Sequence, residues 1–103
     1  MKKVKFRVKV IFPRHSEIND HGEEVSIPMR IHSFSYEWKN EHYREDTEEN
    51  RKVIQEAMLE DRGHGIEMRI KQIISMYQQA SNAKNTDYHT EYIIDFNAWN
   101  STF

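Results

Sequence analysis

Apolar and charged residues alternate through the first eleven positions. Val4, Phe6, Val8 and Val10 fall on one parity, and Lys3, Lys5, Arg7 and Lys9 on the other. Period-two alternation of this kind predicts a half-buried strand. Pro13 ends it, because proline has no amide proton for the ladder. Residues 14–24 are polar and read as a loop, with Gly22 as a turn residue at positive φ; an antiparallel return of the next strand is expected across it. A second alternation follows, with Val25, Ile27, Met29 and Ile31 set against Ser26, Pro28, Arg30 and His32. The apolar set then changes phase to Phe34, Tyr36 and Trp38. A β-bulge near Ser33, or a break into two strands, would absorb the extra residue. Pro28 argues for an edge position or a bulge.

The period lengthens after residue 40. Residues 40–62 read as a helix, with Asp46 or Thr47 as its cap and Glu48 and Glu49 against the positive end of its dipole. Val53, Ile54, Ala57 and Met58 form a narrow apolar stripe. Gly63 suits the position just past a helix end. A second helix is predicted over 66–81, where Ile66, Ile70, Ile73, Tyr77 and Ala80 keep helical spacing. A polar break at 82–86 leads to a last strand over 88–96, in which Tyr88, Thr90, Tyr92, Ile94 and Phe96 alternate with His89, Glu91, Ile93 and Asp95. Apolar side chains on both faces at Ile93-Ile94 point to a central place in the sheet. The expected fold is α+β: a small, mostly antiparallel sheet of three to four strands with two helices packed on one face. It forms a single domain over residues 1–103.

Composition narrows the class. Charged residues make up 31% of the chain, and glycine and proline number only three and two, which is not a disordered composition. A chain of 103 residues buries an ordinary core without a covalent staple. The lack of cysteine excludes disulfides, thiolate metal sites and cysteine catalysis, and it fits a reducing compartment. No apolar run is long enough to span a bilayer. Met1-Lys2-Lys3 leads into alternating charge rather than an uncharged run, so no signal peptide is expected. The Asn100-Ser101-Thr102 sequon then carries no weight. The expectation is a cytoplasmic protein without a membrane partner.

The residues give catalysis little to work with. His15, His21, His32, His42, His64 and His89 are scattered, and no pair has the spacing of three or four that a helical metal site needs. There is no Gly-x-Ser-x-Gly elbow, and three glycines do not build a phosphate-cradling loop. Gly63-His64-Gly65 offers a histidine between flexible neighbours as a general base, but a helix stop explains it more simply. The carboxylates Glu41, Glu45, Asp46, Glu48, Glu49, Glu56, Glu60 and Asp61 lie along one helix as a solvated face, partly neutralised by Arg51 and Lys52. Glu91 and Asp95 on the last strand are too few to complete a nuclease-type metal site. The chain reads as a non-enzyme with no cofactor and no metal.

Charge is distributed unevenly. The net is +3 over residues 1–40, −5 over 41–61 and zero over 62–103. The basic strand face of Lys3, Lys5, Arg7 and Lys9, extended by Arg30, is a candidate binding surface. Trp99 and Phe103 in the aromatic tail are candidate anchors, although packing back on the sheet would also account for them. The preferred reading is a small protein-binding module, an adaptor or inhibitor of the kind phages and other mobile elements encode. The alternative is nucleic-acid binding through the basic face of the first strand. A third account needs no ligand, since lysines on an outer strand discourage edge-to-edge aggregation. The basic strand and the acidic helix are also complementary between copies, which leaves a homo-oligomer open.

Overall fold

The computed structural model describes residues 2–40 and 45–96, with the side chains of residues 2, 3 and 38–40 outside that description. The elements run β1 (Lys2–Phe12), β2 (His15–Ile18), β3 (Glu24–Ile27), β4 (Arg30–Asn40), α1 (Glu48–Ser81) and β5 (His89–Asp95). β4, β1 and β5 form a three-stranded sheet in that order, and β2 and β3 form a two-stranded one. All the pairings are antiparallel.

The first forty residues build one long hairpin. Phe12 faces Arg30 in the first ladder and His15 faces Ile27 in the second. The register therefore passes unchanged through a gap of two residues on each side, Pro13-Arg14 and Pro28-Met29. A proline on each strand deprives the ladder of donors at the same level, which explains the interruption. The burial phase switches there as well. Val4, Phe6, Val8, Val10 and Phe12 point into the core before the gap, and Val25 and Ile27 turn inward beyond it. The phase change expected near Ser33 thus falls at Pro28-Met29, and β4 runs through Ser33 without a bulge. The segment read as a loop over 14–24 contains β2 and the start of β3. Only the turn remains: Asn19 Oδ1 accepts from the amides of His21 and Glu23 at 2.9 Å each, and Gly22 takes φ +75°.

The two expected helices are one. α1 has 34 residues and runs through Gly63-His64-Gly65. It begins at Glu48 rather than at 40, and β4 extends to Asn40. Thr47 is the cap, its Oγ accepting from the Asn50 amide at 3.1 Å, and Asn82 closes the other end at φ 56°. A rise of about 1.5 Å per residue makes α1 roughly 51 Å long, which accounts for most of the molecule's 58 Å extent. Magnitudes explain its continuity. Two interior glycines cost about 1 kcal/mol each. Ile66, Ile70, Ile73 and Tyr77, all buried on the same core as Ile54 and Met58, contribute roughly 1.5–3 kcal/mol apiece. Keeping the second half of the helix on the sheet outweighs the glycine penalty several-fold.

Among the described residues the architecture is therefore one helix with two antiparallel sheets, three strands and two, in place of two helices on a single sheet. β1 is the central strand, while β5, expected centrally, lies at an edge. No helix among the described residues is long and apolar enough to cross a membrane.

Candidate functional site

The odd-numbered face of β1 is where the sequence places its basic surface. Lys5, Arg7 and Lys9 do share that face, but their cross-strand neighbours change its character. Glu37 and Asp95 stand in register with Lys5 on either side, and Glu91 stands beside Lys9. Three cations are matched by three carboxylates, so this part of the sheet carries no net charge. Opposite charges across a ladder stabilise the sheet itself. β1 is also central, so its lysines cannot serve to blunt an edge. Arg30 does not join them: it faces Phe12 in register and lies on the helix side of β4, in a cleft with Tyr77, Ala80 and Ser81. The Lys3 side chain, Trp99 and Phe103 lie outside the described residues.

A different cationic surface runs between α1 and β4. Arg62, Arg69 and Met76 recur every seven residues, two helical turns apart, and so line one side of α1. β4 runs antiparallel to that row. The Arg62 guanidinium lies 5.8 Å from the centre of the Tyr36 ring, and that of Arg69 lies 5.8 Å from Phe34. Phe34 and Tyr36 meet edge to face with centroids 5.8 Å apart. Met76 flanks a cleft of about 260 Å³ with His32, Ser33 and Ile73, and Arg30 flanks another of about 160 Å³. Both are smaller than the ~300–1,000 Å³ of a small-molecule site. They are of a size for single side chains.

The aromatics reach this groove because β4 is an edge strand. Helix α1 covers β1 fully, leaving Val4, Phe6, Val8, Val10 and Phe12 almost without exposure. It covers the β4 row of His32, Phe34 and Tyr36 only in part. Gly65 borders the groove, where a Cβ on it would meet Tyr36 Oη at 3.7 Å, an ordinary contact. Arg69 and Arg30 have no ion-pair partner among the described residues, and Arg62 has only the exposed Asp61 at 3.5 Å. A guanidinium placed over a ring face still has N–H groups to offer a carboxylate.

A histidine and a carboxylate meet at a structural clasp. Glu17 accepts from the amides of Lys84 at 2.8 Å and Asn85 at 2.9 Å, and from His15 Nε2 at 2.6 Å. His15 Nδ1 lies 3.2 Å from the Pro13 carbonyl. The two backbone amides, with His15 adding to them, hold the Glu17 carboxyl down at about 2. Glu17 in turn raises the His15 imidazole above its usual range. The clasp ties the β2–β3 hairpin to the chain leaving α1, and its hydrogen bonds are all used internally. His64 lies exposed within α1, so Gly63-His64-Gly65 is neither a catalytic loop nor a helix stop. Among the described residues no group of three or more His, Asp or Glu side chains could hold a metal ion.

The groove was not legible as a site in the sequence. Its one trace is the spacing of Arg62, Arg69 and Met76, which gains meaning only when β4 is known to lie alongside. No known protein family, curated protein or solved structure matches this chain, so its surfaces are read from its own residues alone.

Proposed function

We propose that this protein is a non-enzymatic protein-binding module, an adaptor or inhibitor that holds its partner in the groove between α1 and β4. The observation that carries this reading is the pair of arginines, Arg62 and Arg69, laid on half-buried Tyr36 and Phe34. Arginine and aromatic residues are the side chains that dominate binding energy at protein interfaces. The rings already carry guanidinium groups on their faces, which makes them poor platforms for stacked bases. From Lys5 to Lys9 the basic face of β1 offers nucleic acid no surplus charge, because Glu37, Asp95 and Glu91 share it; the surplus is confined to the Lys3 end, where Lys39 stands in register. A cytoplasmic setting belongs to the same proposal, since the chain draws its stability from an ordinary core and no cysteine.

The test is differential capture from a lysate of the source cells, run with and without nuclease treatment. The native protein is compared with Arg62→Glu/Arg69→Glu and with Lys5→Gln/Arg7→Gln/Lys9→Gln, each first shown to be folded by circular dichroism. A protein retained in stoichiometric amount by the native chain and the lysine-face variant, and lost from the arginine variant, supports the groove. Loss only from the lysine-face variant, or retention that vanishes with nuclease, refutes it.

A further inference from the structure

The groove is bordered by an open strand edge. β4 has eleven residues and pairs with β1 on one side; among the described residues nothing pairs with its other side. An open edge presents backbone N–H and C=O groups ready for another strand. Its even-numbered side chains, from Arg30 to Tyr36, face the helix. Its odd-numbered positions near the middle, Ser33 and Ser35, are small, polar and exposed.

We infer that the partner docks as an extended acidic segment, adding to the outer edge of β4 as a further strand and setting its groove-facing carboxylates against Arg62, Arg69 and Arg30. This rests on the groove reading above and names the partner's chemistry and its mode of binding. An added strand lies about 4.8 Å from β4, and its side chains alternate between the two faces. Every second residue therefore enters the groove. There Arg69 and Arg30 lack a carboxylate among the described residues, and Arg62 has only an exposed one. Backbone pairing supplies affinity, and the alternate acidic side chains supply choice of partner.

A second copy of this chain is the less suitable occupant. Antiparallel pairing of β4 with itself about a twofold axis sets both helices on the same side of the joined sheet. The Arg62 and Arg69 rows would then face each other as like charges.

The probe is a displayed library of random twelve-residue peptides, selected on the native protein and counter-selected on Arg62→Glu/Arg69→Glu. The expected winners carry Asp or Glu at alternate positions and no proline at their centre. Arg69→Glu should weaken the best of them by ~tenfold or more, as loss of a charge-assisted hydrogen bond implies. N-methylation of every second backbone amide on one edge of that peptide should abolish binding, and methylation on the other edge should be tolerated. Peptides without carboxylates, or a library that yields none dependent on the arginines, would overturn the inference. So would carboxylate peptides indifferent to N-methylation at either edge, since these would occupy the groove without pairing. A concentration-dependent dimer abolished by a proline at Ser35 would give the edge to a second copy and overturn it as well. In each case the lysate comparison separately decides whether the groove binds a protein at all.

Discussion

Replacing Gly63 with alanine tests the continuity of α1 through its sign. No heavy atom lies within 4 Å of the position a Cβ would take at Gly63, so the substitution creates neither clash nor contact. What changes is the backbone. Alanine in a helix interior is favoured over glycine by about 1 kcal/mol, through a smaller loss of conformational entropy. For a domain of this size that raises Tm by about 4–8 °C. At Gly65 the added methyl would meet Tyr36 Oη at 3.7 Å, an ordinary contact, so Gly65→Ala should add a similar increment. Gly22 is the control: it sits at φ +75°, where alanine is strained by roughly 1–2 kcal/mol, and Gly22→Ala should lower Tm. Thermal melts followed by circular dichroism at the helix band, with calorimetry for enthalpy, read all three. A helix ending at Gly63 would place that glycine in the left-handed region. Gly63→Ala would then fall with Gly22→Ala instead of rising, and such a fall would refute the single helix.

Tyr77 Oη is buried without a hydrogen-bond partner among the described residues, while its ring stacks on Phe12 at 3.9 Å; Tyr77→Phe should therefore raise stability by about 1 kcal/mol in urea unfolding, and a clear loss would reveal a partner for the hydroxyl. Lys5→Glu sets three carboxylates in one row with Glu37 and Asp95. It should destabilise by roughly 0.2–1 kcal/mol per neighbour, with part of the loss recovered in high salt; insensitivity to salt would count against the charge ladder. Ile54, fully buried, should lose about 2–5 kcal/mol as Ile54→Ala, and a smaller loss in urea unfolding would mean that the first half of α1 is not docked. The Glu17 clasp should depend on pH at both ends. Glu17 is held at about 2 from an ordinary 4.5, so its contribution is complete above 4.5 and fades as pH falls toward 2. His15 is raised above 6.5, so its contribution is complete below 6.5 and fades as pH climbs through the raised value. The clasp is then tightest between about 4.5 and 6.5, and nuclear magnetic resonance shifts of the Lys84 and Asn85 amides should report both transitions; flat shifts would refute it.

The candidate surfaces show how far side-chain pattern alone carries. Alternation set Lys5, Arg7 and Lys9 on one face correctly, but a face is shared by neighbouring strands. Whether it is basic depends on what pairs beside it. Glu37 and Glu91 lie 28 and 82 residues after Lys9 in the chain, and only the ladders bring them near. Arg62 and Arg69 carry no signal of a site in the sequence for the same reason. Their meaning comes from Tyr36 and Phe34, which an edge strand leaves half-covered.

Local chemistry along the chain determined much of the fold. Period-two alternation specified β1, and the same alternation specified β5 apart from its first and last residues. Thr47 and the acids after it were recognisable as a helix start, and Gly22 as a turn, because caps and positive φ depend on residues within one turn of each other. The helix count was decided at longer range. Gly63 next to a polar stretch reads as a stop when judged locally. Yet Ile54, Met58, Ile66 and Ile70 keep one four-residue rhythm across it, with Arg62 in the missing place, and a common sheet rewards that phase with burial. Tertiary packing alone decided that the helix continues, that β1 is central and β5 an edge, and that two facing prolines interrupt one hairpin. Each of these turns on contacts between residues far apart in sequence, whose free energy exceeds the local preferences they override.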